Sequence, residues 1–314
     1  VKLQKEYIRG IGAGVMSACL FLFIFLKLPL FAQFSLLPIF YEGLRDGVRS
    51  ALVASGTAVI LTLVIGHGGI AFIFMLLFLA PAVYLIACAL FNRPLSISAS
   101  VKNHDKEWYP LDLLIMQTIA ICLLIMTGMF IFLHLTLNPQ VMTHLYEMLE
   151  NQQHLNLTVF AMSLENLKDL LTLLPGLTAL GLFTTFAVNG VLAQYLLQYQ
   201  RQNLRPGFRL TTLELPLWPW VGLAIAGLVV LFFHGSLIGN FCLNVVLVLL
   251  AAFMLQGMSI FHVFCEGMPQ RNLLMWFFYL LMLALPWLVL IVMTLGLFEP
   301  WLNLRQKIKK RFRS

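Results

Sequence analysis

Apolar runs long enough to cross a bilayer recur from one end of the chain to the other, and the polar residues gather between them. A hydrocarbon core about 30 Å thick takes roughly 20 apolar residues per helix. On that measure the pattern predicts nine segments, at 11–26, 28–41, 51–65, 70–91, 111–137, 170–197, 218–233, 238–264 and 273–298. The second is short and carries Pro29 and Pro38, which predicts a kinked, thin or re-entrant element. The stretch 138–169 breaks the pattern. It is polar and acidic, with Glu147, Glu150, Glu165 and Asp169, and Val141, Leu145, Met148 and Leu149 have partial helical spacing. That predicts a helix lying on the membrane surface. The expected fold is all-α: one polytopic transmembrane bundle of eight to nine helices.

Composition agrees with the pattern. Hydrophobic residues make up 61% of the 314 and charged residues 11%, against about 25% charged in soluble domains. Mean hydropathy is +0.91. The net charge of +7 would prompt a nucleic-acid reading in a soluble protein. Here the basic residues sit mostly in short links and the C-terminal tail, where the positive-inside rule accounts for them, so nucleic acid is set aside as a partner. No secretory signal fits, because no small-residue cleavage site follows the first apolar run.

The same rule gives a topology with one conflict. With the N-terminus cytoplasmic, the links 42–49, 92–110 and 200–216 fall inside and the acidic 138–169 stretch outside. The tail, with Arg305, Lys307, Lys309, Lys310, Arg311 and Arg313, then falls outside, against the rule. Either one element after residue 49 does not span, or the tail lies outside. The size of the basic bias favours a cytoplasmic tail, and attraction to anionic lipid accounts for most of its charge.

Few residues could carry chemistry. The five cysteines are scattered with no CxxC or Cys/His cluster, so they read as small apolar side chains. Gly10, Gly12 and Gly14 form GxGxG without a preceding strand, and close helix contact explains them better than a dinucleotide loop. No HExxH and no GxxxxGK[ST] occurs. Ser259 and His262 lie three apart on one helix rather than on opposed helices. No Asp or Glu falls mid-span, which argues against a proton relay. No cofactor, metal site or catalytic set is expected.

What remains is a set of amides. Asn189 and Gln194 lie in the sixth segment; Asn240, Asn244 and Gln256 lie in the eighth, with Asn240 and Asn244 on one face. Helix–helix hydrogen bonding is the plain reading. The sharper one is a small-molecule pocket lined by Asn189, Asn240, Asn244 and Gln256. Between the second and third segments, Glu42, Arg45, Asp46 and Arg49 have helical spacing for mutual pairing. They read as a charge-paired cap or as a docking surface for a protein partner.

Three short motifs carry a resemblance. Gly296-Leu297-Phe298-Glu299-Pro300-Trp301-Leu302-Asn303-Leu304-Arg305 resembles the closing motif of the bacterial DUF2232 (YybS-like) membrane-protein family. Leu255-Gln256-Gly257 resembles its penultimate-helix stretch, and Leu37-Pro38 with Gly43 and Gly47 resembles its proline–glycine entry. The sequence departs at Glu299, where Asp is expected, and at Asn303, where an acid is common. The resemblance implies a multi-pass protein of the bacterial inner membrane. It further implies a core over 1–199 similar to the six-helix substrate-binding (S) components of energy-coupling-factor transporters, added helices over 200–298 and a basic tail over 299–314. The expected function is therefore a transporter-like, small-molecule-binding component in the lipid bilayer that acts with partner subunits. The alternative is a non-enzymatic scaffold in a membrane or envelope-growth complex.

Overall fold

The computed structural model describes residues 2–66, 68–94, 106–136, 164–207, 210–266 and 268–311. Helix dominates, as the apolar pattern requires, because a backbone in hydrocarbon must satisfy its own hydrogen bonds. The elements are α1 (Lys2–Leu22), α2 (Pro29–Ala32), α3 (Leu37–Asp46), α4 (Val48–Ile65), α5 (Gly68–Phe74), α6 (Ala80–Leu90), α7 (Leu111–Thr136) and α8 (Leu164–Tyr199). They continue as α9 (Trp218–Phe232), α10 (Leu237–Glu266), α11 (Arg271–Ala284), α12 (Pro286–Leu302) and α13 (Leu304–Arg311). A short antiparallel pair, β1 (Asn92–Pro94) with β2 (Lys106–Trp108), sits in the link before α7. The surface helix expected over 138–169 lies outside the described residues, except that 164–169 form the first turns of α8.

Six of these helical stretches are long and apolar enough to cross a membrane: Gln4–Leu26, Val48–Ile65, Gly68–Leu90, Leu111–Thr136, Leu170–Tyr199 and Leu237–Glu266. Trp218–Phe232 is apolar but shorter. Large apolar side chains cover the outside of these helices. Leu135 and Leu231 are each 77% exposed, a surface that suits lipid and not water.

Two expected spans are broken. The ninth is not continuous: α11 and α12 meet at a bend of 117°. Pro286 is the cause. It has no N–H to continue the ladder, and it drives Leu285 out of the helical region, to φ −124° and ψ 87°. The second is split into α2 and α3 by a turn over 33–36.

The chain divides into two compact units, 1–118 with 182–213, and 119–181 with 214–314. In the first unit α1 and α4 lie side by side in the same direction. A Cβ on Gly14 would come 2.3 Å from the Ala54 carbonyl oxygen, and one on Gly10 3.2 Å from that of Ser50. Small residues therefore let the two backbones approach. The GxGxG motif is such a seam at two of its three glycines, since Gly12 faces open space. Phe21 stacks on Phe74 at 3.8 Å between centroids. Gly47 joins α3 to α4 at φ +100°, a conformation that side chains with a Cβ rarely adopt.

In the second unit α10 and α12 run antiparallel and almost touch. A Cβ on Gly257 would lie 1.9 Å from the Val292 carbonyl oxygen, and one on Gly296 1.9 Å from that of Phe253. Trp220 of α9 packs edge-on against Phe253 and donates its indole N–H to the Leu297 carbonyl at 2.9 Å.

Candidate functional site

The polar groups of the first unit converge on the break between α2 and α3. Asn189, fully buried on α8, donates from Nδ2 to two backbone carbonyls, those of Gln33 and Thr185, each at 2.7 Å. The Thr185 hydroxyl donates to Gln33 Oε1. These bonds fix the amide of Asn189: with Nδ2 committed to two acceptors, Oδ1 must point elsewhere. There it is buried without a partner among the described residues, and so is the hydroxyl of Ser35, two residues beyond Gln33. Gln33 itself is exposed. The arrangement is a broken helix with an amide–hydroxyl cluster at the break and, behind it, a buried acceptor that no donor among the described residues reaches. Such an acceptor costs free energy unless something donates to it.

A second polar group lies in the same unit. Arg205 is buried, donating from Nη1 to the Ala89 carbonyl at 2.9 Å and from Nη2 to the Tyr109 carbonyl at 2.6 Å. Ala89 lies in the last turn of α6, where a cation also meets the negative end of the helix dipole. Burial lowers the Arg205 pKa to about 10. Gln194 and Asn203 donate to the Arg205 carbonyl at 3.0 and 2.6 Å. This cluster pins the link after α8.

The charged turn is paired within the chain. Arg9 Nη2 lies 2.7 Å from Asp46 Oδ2, and Glu42 lies between Arg9 and Arg45, at 3.9 and 3.6 Å. Burial, then the neighbouring Asp46 carboxylate, raises the pKa of Glu42. Glu42 and Asp46 thus hold α3 against α1 through Arg9, Arg45 pairs with Glu42 within α3, and Arg49 stands exposed at the start of α4.

In the second unit Asn244 has structural partners. Asn244 is fully buried and bridges one turn of α8, accepting from the Gly176 N–H at 2.7 Å and donating to the Thr172 carbonyl at 2.9 Å. Its other N–H goes to the Asn240 carbonyl at 2.8 Å, so both donors are committed. Gln256 is buried at the α10–α12 seam, with Oε1 unpartnered. Of the four amides expected to share a lining, Asn189 belongs to the first unit and Asn240, Asn244 and Gln256 to the second. Sequence reasoning did not single out Gln33 or Thr185, although both are polar residues within or beside apolar segments. Among the described residues no group of three or more His, Cys, Asp or Glu could hold a metal ion.

The closing motif is a structural device as well. Glu299, 4% exposed, accepts from the backbone N–H groups of Leu304 and Arg305, each at 3.1 Å, and from Arg305 Nε at 2.9 Å. Asn303 between them adopts the left-handed conformation, φ 48°, which Asn tolerates better than most residues. The carboxylate caps α13 and ties it to α12.

Six apolar helical stretches that can each cross a bilayer, faced with exposed Leu and Phe, define a polytopic helical membrane protein. The DUF2232 family of predicted membrane proteins matches residues 15–299, and the chain belongs to that family. The match spans Gly43, Gly47, Gly257, Gly296 and Glu299, whose places in the fold are described above. No curated protein and no solved structure matches the chain.

Proposed function

We propose that the protein is a membrane-embedded binding component for a small, neutral molecule that carries an N–H or O–H donor. One observation carries this reading: Asn189 Oδ1 behind the α2–α3 break, buried with no partner among the described residues. Membrane transporters commonly bind substrate at interrupted helices, where freed backbone and amide groups meet the ligand. A neutral ligand fits because Gln33, Ser35, Thr185 and Asn189 carry no charge. The chain has no phosphate-binding loop, so partner subunits would supply the energy for transport. The reading contains no catalytic step. It places the protein in the bacterial inner membrane with its N-terminus cytoplasmic, following the basic links.

The test is a ligand screen by thermal stability on purified protein, read on wild type, Asn189→Ala and Asn244→Ala. A compound that stabilises wild type and Asn244→Ala but not Asn189→Ala supports the assignment. A screen without a stabilising compound, or a shift that survives Asn189→Ala, overturns it. The scaffold alternative loses ground because Glu42 and Asp46 pair with Arg9, and Arg45 with Glu42, rather than facing outward. Reproducible protein neighbours on crosslinking through Arg49→Cys, without ligand binding, would restore it.

A further inference from the structure

From the geometry of the closing motif we infer a docking surface for anionic phospholipid headgroups on the exposed face of α13. Leu304, Arg305 and Ile308 are partly covered, whereas Gln306, Lys307 and Lys310 are exposed. Lys307 and Lys310 are three apart and therefore neighbours on one helical face. Beyond Glu299 the sequence carries no acid to its last residue. Glu299 is itself buried and occupied by Arg305 and two backbone N–H groups, so no carboxylate within the segment competes for these lysines. Trp301, 66% exposed, stands at the end of α12 just before them. An indole beside a cationic face is the arrangement that seats at a headgroup boundary.

A disordered basic tail would attract anionic lipid through charge alone. Here the surface has a fixed geometry, and Glu299 sets it by capping α13. Glu299 is a positioning residue: it meets no lipid, yet the lysines depend on it for their place. That dependence separates a built surface from a diffuse tail.

The test measures which lipids accompany the full chain out of nanodiscs of phosphatidylcholine containing a minority of phosphatidylglycerol. Wild type is expected to enrich phosphatidylglycerol about fivefold over the bulk mixture, the factor that one lysine near the surface contributes. Lys307→Gln with Lys310→Gln should lower enrichment by about fivefold or more. Glu299→Gln should lower it although every lysine remains. Absence of enrichment in wild type overturns the inference, as does enrichment unchanged in either variant. If the variants prove unfolded, wild type decides alone. Enrichment should vanish at about 1 M salt, where the screening length is about 3 Å, and enrichment that resists salt overturns the proposal. A single-stranded oligonucleotide that displaces the lipid at equal charge would also overturn it, in favour of a non-specific polyanion site.

Discussion

The carboxamide of Asn244 reaches across to α8 and takes both the N–H of Gly176 and the carbonyl of Thr172, the two groups that an ideal helix would pair with each other. Pro175 stands between them and removes a donor from that turn. Gly176 is the complement: a Cβ there would come 2.7 Å from Asn244 Oδ1. An amide from one helix thus mends a proline-disturbed turn of another.

That relationship gives the first prediction. Asn244→Ala should destabilise the protein by about 1–2 kcal/mol, the upper range for interhelical hydrogen bonds in membranes. Gly176→Ala should do so through the clash. The double variant should lose less than the sum, because removing the amide removes the clash. Unfolding in denaturing detergent, read by circular dichroism, measures all three.

The α10–α12 seam predicts opposite signs for chemically identical changes. Gly257→Ala and Gly296→Ala must each push a carbonyl aside and should cost about 1–3 kcal/mol, the range for overpacking. Gly227→Ala, inside α9 with nothing within 4 Å of the new methyl, should stabilise by about 0.5–1 kcal/mol. Thermal unfolding of the three variants checks the contrast, and a loss at Gly227 as large as at Gly257 would refute it.

Arg205 predicts a difference between two cations. Lysine keeps the charge but offers a point donor in place of a planar fork, so Arg205→Lys should fail to hold the Ala89 and Tyr109 carbonyls together. Hydrogen bonds to a charged group are worth about 1.5–3 kcal/mol each. The expected outcome is faster protease cleavage within 200–213 for Arg205→Lys, approaching that of Arg205→Ala. Cleavage at the wild-type rate in Arg205→Lys would contradict the fork argument.

The Arg9–Asp46 pair is partly exposed, so its net contribution should be about 1 kcal/mol at most. Arg9→Asp should cost more than that, since it sets a third acid beside Glu42 and Asp46. Adding Asp46→Arg should recover part of the loss. Stability of the single and swapped variants decides it, and an absence of recovery would mean that the pair is incidental.

The bend at Pro286 bears on the tail. With the N-terminus cytoplasmic, as the basic links predict, a re-entrant α11–α12 pair that does not cross would leave the six basic residues on the cytoplasmic side. Reporter fusions after residues 155, 207 and 314 are expected to read outside, inside and inside. An outside signal at 314 would make the bent pair a span.

Much of this was legible in the chain. Helical class, the six long spans and the role of Gly10 and Gly14 follow from apolar length and small-residue spacing, because lipid leaves the backbone no alternative to helix. Pro29 and Pro38 marked the second segment as an interrupted one, but not that α3 runs on to Asp46. The break at Pro286 was also available, since a proline inside an apolar run disfavours helix at the residue before it, yet the run's length masked it. The site was less legible. Asn189 stood out as an amide in an apolar segment, but so did Asn244, and nothing along the chain separates them. Only their partners do: Asn244 Oδ1 accepts from the Gly176 N–H, while Asn189 Oδ1 is buried with no donor among the described residues. Gln33 and Thr185 lie 152 positions apart, a distance that no periodicity encodes.

The sequence by itself determined that this is a multi-pass helical membrane protein, because solvent choice and element type depend on local apolar length and need no long-range contact. Tertiary structure alone decided which polar groups are spent on the fold and which are left over. A hydrogen bond requires a partner within about 3 Å, and which residue stands at that distance is a property of packing.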